Sequence, residues 1–456
     1  MGLSRHAHRR RADHPLQPDP ARPRAARPRP VIVTLTAVVF AALLLCAVPV
    51  AFTVGMAGFM GLWWSGAYPL SIIIQQMFLA VDSFVLLAIP LFILAGALME
   101  TGGIAVRLVV FAQALVGWIR GGLAMAVVIA EYIFSGISGS TIADVSAIGS
   151  TMIPPMTRAG YRPEQAVSVV AAASAMGILV PPCILMIVIG AIANVSVAAL
   201  FVGGFIPALV LAVAIMAYIY WDARREGIAL PQRTTAVGLW RAFRGALIPL
   251  GLPVIIFGGI LGGVMTPTEA AAVAVFYAAI VGLFVYREIR WSQLPEILIQ
   301  SAVVTANVCF LLATAAVVAW ILVVQQVPAS LAHAMAAVEA GQAGFLVMTA
   351  VLFILMGAVL EGLPAVVIVL PTFLPVVKQL NIDLVHYCIV VVAATGIGLF
   401  LPPIGVGLFI SCAIANITVD RVVRPMLPYV LFLCIGLLFV ILVPWFTLVL
   451  PRLFGL

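Results

Sequence analysis

The sequence predicts an all-α protein that crosses a membrane many times. Hydrophobic residues make up 64% of the 456 residues and charged residues only 9%, whereas a soluble domain carries about 25% charged residues. The mean hydropathy is +1.25, and apolar stretches long enough for a spanning helix, about 20 residues, follow one another along most of the chain. The stretches are continuous rather than alternating, which favours helices over a membrane β-barrel.

Several of the apolar segments contain Gly or Pro and exceed the length of one span. They cover residues 31–62, 70–99, 104–134, 163–194, 197–221, 246–264, 268–286, 296–327, 343–361, 383–416 and 427–450. One polar stretch, residues 222–245, divides the chain into halves of similar length. Because short basic loops favour the cytoplasm, we predict a cytoplasmic linker at 222–245 between two membrane repeats, residues 31–221 and 246–456.

Residues 1–30 form a separate basic segment with eight arginines and six prolines. Such a composition cannot bury a core and predicts a disordered tail. A basic tail next to a membrane span is expected to contact anionic membrane lipid, and we expect no nucleic-acid partner. An over-extended start codon is the alternative explanation for this segment.

The sequence offers little support for an enzyme or a resident cofactor. The six cysteines are scattered without a C-x-x-C pair, and three of the five histidines lie in the tail, so a zinc site is not expected. No histidine lies near the Ser-rich stretches in sequence to act as a base, which argues against nucleophilic catalysis. We therefore expect no catalytic residues.

The two halves are related by an internal repeat, because six positions each recur 221 residues later. They are Gly136, Pro154, Gly177, Pro181, Pro182 and Pro207 in the first half and Gly357, Pro375, Gly398, Pro402, Pro403 and Pro428 in the second. The heptapeptide that begins at Ala191 also closely matches the one that begins at Ala413. Asn194 would end an outward crossing from Arg162, whereas Asn416 precedes a basic and hence cytoplasmic loop. The two copies are therefore predicted to be inverted.

Inverted repeats with paired Gly and Pro interruptions point to a secondary-transporter site near the middle of the membrane. In the first repeat we predict a helix–break–helix hairpin near residues 132–157, because Gly136 and residues 138–141 interrupt an apolar stretch. Free carbonyls and hydroxyls at the tip are hard oxygen ligands for a small cation, and a helix N-terminus favours an anion. The alternative is a Ser/Gly-rich contact that only permits close helix packing.

Two Gly/Pro breaks interrupt helices at corresponding places in the repeats. One is the run from Gly177 to Pro182, and the other is the run from Thr395 to Pro403. Consecutive prolines remove backbone hydrogen bonds, and irregular backbone at membrane depth is tolerated only inside protein or along a cavity. A packed structural kink is the alternative for each.

A second hairpin is predicted near residues 360–377, after Gly357. There Glu361 is a charged residue in an apolar run, as are Asp144 and Glu131 in the first repeat. Such residues usually face a cavity or a charged partner. A neutral carboxyl packed between helices is the alternative for all three.

The run from Thr266 to Glu269 also attracts notice, but it has a structural explanation. With Thr266 as N-cap, Pro267 is the first helical residue and Glu269 lies three residues past the cap, which is a capping box. The sequence therefore predicts only a helix start here.

Taken together and in order, these stretches resemble the large membrane subunit of tripartite ATP-independent periplasmic (TRAP) transporters of the dicarboxylate/sialic-acid permease type. The resemblance is carried by Ser135 to Thr141, Gly149-Ser150 with Pro154 and Gly160-Tyr161, Gly177 to Pro182, Thr266 to Ala271, and Thr395 to Gly407. It covers roughly residues 31–456 and excludes the tail.

The resemblance implies an elevator-type carrier, in which a transport domain containing both hairpins and both broken helices slides against a fixed scaffold. It implies sodium as the coupling ion, no other cofactor, and a small organic acid of the dicarboxylate, sialic-acid or keto-acid type as substrate. The expected partners are a separate small membrane subunit of four helices and a soluble periplasmic binding protein that delivers the acid. The expected location is the bacterial inner membrane.

The same resemblance assigns site residues by motif. One sodium site would involve Ser138, Gly139, Ser140 and Gly177, and the other Gly362, Thr395, Gly396 and Gly398. Further candidates for ion or substrate binding are Thr141, Asp144, Pro181, Pro182, Glu361, Pro402 and Pro403.

Three other hypotheses compete with this one. A stand-alone sodium-coupled organic-acid carrier would lack neighbouring genes for a small subunit and a binding protein. A membrane scaffold without transport would tolerate Ser140→Ala together with Thr141→Ala without loss of function. A membrane enzyme is disfavoured, because no paired catalytic groups are visible in the sequence.

Overall fold

A computed structural model describes residues 29–226, 235–330, 341–360, 362–402 and 405–456, and their side chains except at 29, 30, 137 and 138. The predicted tail lies outside this part of the chain apart from its last two residues. The predicted linker is described only at its two ends. Nearly all of the described residues are helical.

The described part of the first half contains ten α-helices. They are α1 (Arg29–Leu45), α2 (Val50–Ser65), α3 (Ser71–Val81), α4 (Ala88–Thr101), α5 (Ile104–Val116), α6 (Gly122–Ser138), α7 (Thr141–Arg158), α8 (Pro163–Gly177), α9 (Ile184–Ala193) and α10 (Val197–Arg225). The described part of the second half contains nine. They are α11 (Ala236–Leu261), α12 (Pro267–Ile280), α13 (Leu294–Val324), α14 (Gly341–Leu360), α15 (Gly362–Gln379), α16 (Leu384–Leu399), α17 (Val406–Ala415), α18 (Val419–Leu442) and α19 (Trp445–Leu453).

The outer helices present apolar side chains away from the protein. Ile74 on α3, Val254 on α11 and Phe276 on α12 are 73%, 69% and 70% exposed. Broad apolar surfaces are rare on soluble monomers but match the hydrocarbon of a bilayer. Eight helical stretches in the described part are long and apolar enough to cross a membrane. The predicted all-α polytopic membrane fold is confirmed.

Two helices, α8 and α16, form the centre of the protein. In α8 every residue over Gln165–Gly177 is buried, and in α16 every residue over His386–Leu399 is buried. A helix that is apolar on all sides belongs to the interior. The two helices meet closely at Gly396, where a Cβ would lie 2.6 Å from the carbonyl oxygen of Ala175.

The helix pattern of the first half recurs in the second. Helices α7 and α15 both have 18 residues, and α9 and α17 both have 10. Both ten-residue helices end at an asparagine in the left-handed region, Asn194 at φ 53° and Asn416 at φ 52°, which Asn adopts more readily than most residues. The repeat inferred from the sequence is therefore present in the backbone, while its inverted orientation stays a prediction from charge.

An ion pair joins the start of α8 to the end of α10 on the predicted cytoplasmic side. Glu226 accepts hydrogen bonds from Arg162 at 2.5 Å and from Gln165 at 2.7 Å. Burial raises the pKa of the Glu226 carboxyl, but these two hydrogen bonds together with the positive charges of Arg162 and Arg225 hold the pKa below its ordinary value. The carboxylate therefore stays charged at neutral pH and keeps the two helix ends together.

The capping box predicted at the start of α12 is confirmed. Thr266 Oγ1 accepts a hydrogen bond from the amide of Glu269 at 3.3 Å, and Glu269 Oε2 accepts one from the amide of Thr266 at 2.7 Å. This run therefore fixes where a helix begins.

We expect Gly398→Ala to destabilise the fold more than Gly258→Ala. A Cβ at Gly398 would lie 2.2 Å from the carbonyl oxygen of Ile354 on α14, whereas a Cβ at Gly258 on α11 would meet no described atom beyond the backbone of its own helix within 4 Å. Overpacking of this kind typically costs about 1–3 kcal/mol, while Ala at an open helical position adds helix propensity. Thermal unfolding of both purified variants in detergent measures the difference. Equal melting temperatures would contradict the close contact between α14 and α16.

Candidate functional site

The break in the first hairpin lies at Gly139 and Ser140. Gly139 ends α6 at φ 65°, in the left-handed region, and Ser140 is extended and caps α7 by accepting a hydrogen bond from the amide of Ala143. Gly enters the left-handed region without a steric penalty, and Ser is a preferred N-cap. The Gly/Ser run thus ends one helix and starts the next. Ser138 is the last residue of α6, and the structure describes its backbone but not its side chain.

The tip of this hairpin packs on the first Pro-Pro break. A Cβ at Gly139 would lie 3.0 Å from the carbonyl oxygen of Pro182, and one at Gly136 would lie 3.2 Å from that of Pro181. The end of α6 is therefore next to two carbonyl oxygens. Together with the hydroxyl of Ser140 they are hard oxygen atoms of the kind that replace water around a small cation.

Gly177 lies behind the tip, and its carbonyl oxygen already accepts two hydrogen bonds. One comes from the Ser135 hydroxyl at 2.8 Å and the other from the Val180 amide, also at 2.8 Å. Both lone pairs of the carbonyl are thereby used. In this structure Gly177 joins α6 to the broken end of α8, and ligation of sodium by its carbonyl would require one of these bonds to be exchanged.

The second hairpin contacts α16 through Gly362, which lies next to Thr395. Both residues were assigned to the second sodium site. A Cβ at Gly362 would lie 2.8 Å from Thr395 Cγ2, while Thr395 Oγ1 donates a hydrogen bond to the carbonyl of Val391 at 2.7 Å. Gly396 faces α8 and Gly398 faces α14. Two of the four residues assigned to the second sodium site are therefore in contact, and the other two allow helices to pack closely.

The remaining predicted residues lie at different depths. Asp144 is buried in the first turn of α7, where a helix N-terminus stabilises negative charge. Pro402 is half-buried just past the end of α16. Glu361 and Pro403 lie outside the described residues.

Both hairpin tips line one cavity of about 180 Å³. Its wall consists of Gly139, Ser140, Thr141, Ile142, Ile178, Cys183, Ile184, Leu185, Val304, Val308, Gly362, Leu363 and Leu399. The N-terminal ends of α7, α9 and α15 therefore lie around this cavity, next to the broken ends of α8 and α16. Three helix N-termini give this space partial positive charge and favour an anionic group.

The described wall of the cavity contains no charged side chain. Eight of its side chains are aliphatic, and Ser140 and Thr141 contribute hydroxyls. Such a wall can hold the body of a small organic molecule by apolar contact while backbone amides and hydroxyls orient a polar group. Four predicted residues, Gly139, Ser140, Thr141 and Gly362, meet here, whereas Asp144 and Thr395 do not belong to the described wall.

Sequence reasoning missed two parts of this region. Val304 and Val308 on α13 close one side of the cavity, and apolar residues within a long apolar helix give no signal of such a role. Ser174 on α8 was also missed. It donates a hydrogen bond to Glu131 on α6, and both side chains are fully buried.

The chain is similar to known proteins along most of its length. The family model described as "Tripartite ATP-independent periplasmic transporter, DctM component" matches residues 37–446. The isethionate TRAP transporter permease protein DctMQ of Oleidesulfovibrio alaskensis is 37% identical over 410 residues, which is 89% of this chain but only 64% of that relative. The C4-dicarboxylate TRAP transporter large permease protein DctM of Pseudomonas aeruginosa is 39% identical over 381 residues, 84% of this chain and 89% of that relative.

A solved transporter structure has a similar fold. The YdaH transporter of Alcanivorax borkumensis matches with a TM-score of 0.58 and 16% identity, over 90% of this chain and 95% of that chain. At this identity the likeness concerns the fold alone.

We expect Ser135→Ala to destabilise the protein, and Ser150→Ala to leave its stability unchanged. The buried Ser135 hydroxyl links α6 to Gly177, whereas the exposed Ser150 hydroxyl bonds only to a carbonyl of its own helix, at 3.2 Å. Loss of a typical buried hydrogen bond costs about 1 kcal/mol. Melting temperatures in detergent report both effects. Equal values for the two variants would show that the bond to Gly177 does not stabilise the break.

Proposed function

The chain belongs to the DctM family of tripartite ATP-independent periplasmic transporters, and from this premise we propose that it is the translocating subunit of a sodium-driven uptake system for a small organic acid. Its relatives are permeases of transport systems, so the chain is a transporter subunit rather than an enzyme. It is a multi-pass protein of the bacterial inner membrane, with eight apolar helical stretches long enough to span it.

The observation that supports this proposal most is the meeting of both hairpin tips in one cavity. Residues from the first tip, the second tip and both helix breaks share its wall. Broken helices at membrane depth, with their ends directed at a common space, are the arrangement by which transporters bind a substrate together with its coupling ions. We assign this cavity to the substrate.

The electrostatics of the described wall, which combines helix N-termini with uncharged side chains, favour an anion that binds together with a cation. Removing a carboxylate from water costs several kcal/mol, whereas a helix N-terminus returns about 0.3–2 kcal/mol. No described wall residue supplies a positive charge. Sodium ions on the carbonyl and hydroxyl oxygens near Gly139 and Gly362 would supply the missing charge, so binding of acid and sodium would depend on each other.

The driving force available from sodium is sufficient for accumulation. A membrane potential of 100 mV provides about 2.3 kcal/mol per charge moved, and a tenfold concentration ratio costs about 1.4 kcal/mol. Two sodium ions entering with a monoanion carry one net positive charge inward. The electrical term alone would then support more than a tenfold gradient of the acid.

The size of the cavity favours compact acids within the proposed class of dicarboxylates, keto acids and sialic acid. A volume of about 180 Å³ lies below the roughly 300–1,000 Å³ of typical ligand pockets. The names of the two relatives refer to isethionate and to a C4-dicarboxylate, which are acids of this size. We propose a substrate of similar size for this chain.

The proposed complex has two further components, a small four-helix membrane subunit and a periplasmic binding protein that delivers the acid. Within this chain, the hairpins and the helices α8 and α16 would form the moving transport domain of an elevator. The competing proposal is a carrier that works without a binding protein. Both use the same cavity and differ in their partners.

Reconstitution into proteoliposomes tests the proposed function. Uptake of a labelled organic-acid panel is measured under an inward sodium gradient, with and without the small subunit and the binding protein. We expect uptake only when all three proteins and sodium are present. Uptake by this chain alone would favour the stand-alone carrier, and sodium-independent uptake by the full system would contradict sodium coupling.

We expect Val304→Phe to reduce uptake strongly and Val303→Phe to leave it close to that of the wild type. Val304 lines the cavity, so a larger ring there occupies space needed by the acid. Val303 is adjacent on the same helix, is similarly exposed at 55% and is not part of the described wall. Initial uptake rates of the reconstituted variants, at matched protein content, make the comparison. Equal rates would place the substrate elsewhere.

A further inference from the structure

A polar cavity of about 580 Å³ lies between the ends of α8, α10 and α18 on the predicted cytoplasmic side. The proposed transport cycle gives this cavity no role. Its wall contains three arginines and three carboxylates, which are Arg162, Glu164, Asp222, Glu226, Arg421 and Arg424. The contacts that these side chains make with one another show which of the charges are available to a ligand.

Two arginines of the wall keep their charge available. The described residues form two ion pairs, and one of them joins Arg162 to Glu226 at this cavity, whereas the other lies elsewhere. Arg421 and Arg424 on α18 take part in neither pair, and both are exposed. Their guanidinium groups therefore have no carboxylate partner among the described residues.

The charges outside the ion pair are separated by helix. Arg421 and Arg424 lie three residues apart and so share one face of α18, while Glu164 on α8 and Asp222 on α10 supply two carboxylates. A pair of guanidinium groups suits the oxygens of a phosphate, and carboxylates suit an ammonium group. A ligand that carries a phosphate next to an ammonium group matches both sets, whereas a simple anion would also meet the carboxylates.

The cavity lies at the depth of lipid headgroups. Helix α10 has 29 residues, which corresponds to about 43 Å, and a bilayer measures about 40–45 Å including its headgroups. Asp222, close to the end of this helix, therefore reaches the headgroup layer. The exposed ring of Trp221 lies 5.9 Å from the ring of Tyr218 in the cavity wall. Trp and Tyr are enriched at this level of membrane proteins.

Apolar surface for acyl chains lies directly beside the cavity. Helix α18 runs from the predicted cytoplasmic side into the membrane, so Leu427 and Leu431 lie one turn deeper than Arg424 and Pro428. Both leucines are exposed. A lipid with its headgroup in the cavity can place an acyl chain on them, whereas a water-soluble ligand would leave them uncovered. The surroundings thus favour a lipid over a free phosphate compound.

We propose that this cavity binds the phosphoethanolamine headgroup of a membrane phospholipid. The phosphate contacts Arg421 and Arg424, and the ammonium group contacts Asp222 and Glu164. The bound lipid links α18 to α8 and α10 and so stabilises the cytoplasmic ends of three helices. This site is independent of the organic acid and of the coupling ion in the proposed function.

A comparison of three lipids on the wild-type chain tests this site. The purified chain in detergent is titrated with dioleoyl phosphatidylethanolamine, phosphatidylcholine or phosphatidylglycerol, and bound lipid is counted by native mass spectrometry. We expect phosphatidylethanolamine to bind several-fold more tightly than the other two. The choline group has no N–H to donate to a carboxylate, and phosphatidylglycerol has no ammonium group. The melting temperature should rise in the same order, because a ligand of the folded state stabilises it.

Substitutions in the wall assign the two halves of the headgroup. Arg421→Gln combined with Arg424→Gln should weaken binding of phosphatidylethanolamine about tenfold, because charge-assisted hydrogen bonds to the phosphate are lost. Asp222→Asn should reduce the preference for phosphatidylethanolamine over phosphatidylglycerol. Arg241→Gln is the matched control, since Arg241 is an exposed arginine on α11 that is not part of the wall. The lipid comparison on the wild type needs no variant and stands even where a variant does not fold.

Four outcomes would overturn the proposal. Equal binding of all three lipids by the wild type would show that the cavity recognises no headgroup. Unchanged affinity in the folded double arginine variant would place the phosphate elsewhere. Equal binding of phosphatidylglycerol and phosphatidylethanolamine would remove the role of the carboxylates. A rise in melting temperature with soluble glycerophosphoethanolamine as large as with the lipid would make the ligand a soluble compound. None of these results depends on uptake, so the site and the proposed function can fail separately.

Discussion

The close contact between the two buried helices α8 and α16 is the constraint on which the rest of the structure depends. Both helices end in a break, and at both breaks the freed backbone is satisfied in the same way. The amides of Leu179 and Val180 bond to carbonyls three residues earlier, as do those of Phe400 and Leu401. Backbone amides and carbonyls at membrane depth must find partners inside the protein. The two breaks are therefore tolerated because Gly396 allows α8 and α16 to pack closely and because the hairpins cover the broken ends.

Much of this architecture could be predicted from the sequence, because Gly and Pro have local effects that do not depend on distant residues. The left-handed Gly139, the cap at Ser140 and the capping box at Thr266 all follow from residue types that favour one backbone conformation. The equal spacing of the Gly and Pro positions likewise predicted an internal repeat, which the backbone shows as helices of matching length. Helix ends and left-handed turns thus lie where the Gly, Ser and Thr residues of the sequence favour them.

The chemistry of individual residues could be predicted less well. Gly396 and Gly398 share a motif with Thr395, but they face neighbouring helices, because a glycine needed for close packing has the same sequence signature as one that exposes a carbonyl. Val304 and Val308 line the cavity without any sequence signal, since the role of an apolar residue depends on which helix lies opposite. Assignments of that kind need the tertiary contacts.

The two repeats supply similar backbone but different charge. The first-repeat residues Glu131, Ser135, Asp144 and Ser174 correspond, 221 positions later, to Leu352, Met356, Ala365 and Thr395. The second set retains one hydroxyl, whose proton goes to a helix carbonyl, and contains no carboxylate. A cation in the first repeat therefore has protein carboxylates nearby to balance its charge. At these matched positions the second repeat offers none, and its carboxylate Glu361 instead precedes Gly362, at the position that matches Ser140 in the first repeat. The pseudo-symmetric backbone therefore carries asymmetric charge, and each proposed ion site would be balanced by carboxylates at different places in its repeat.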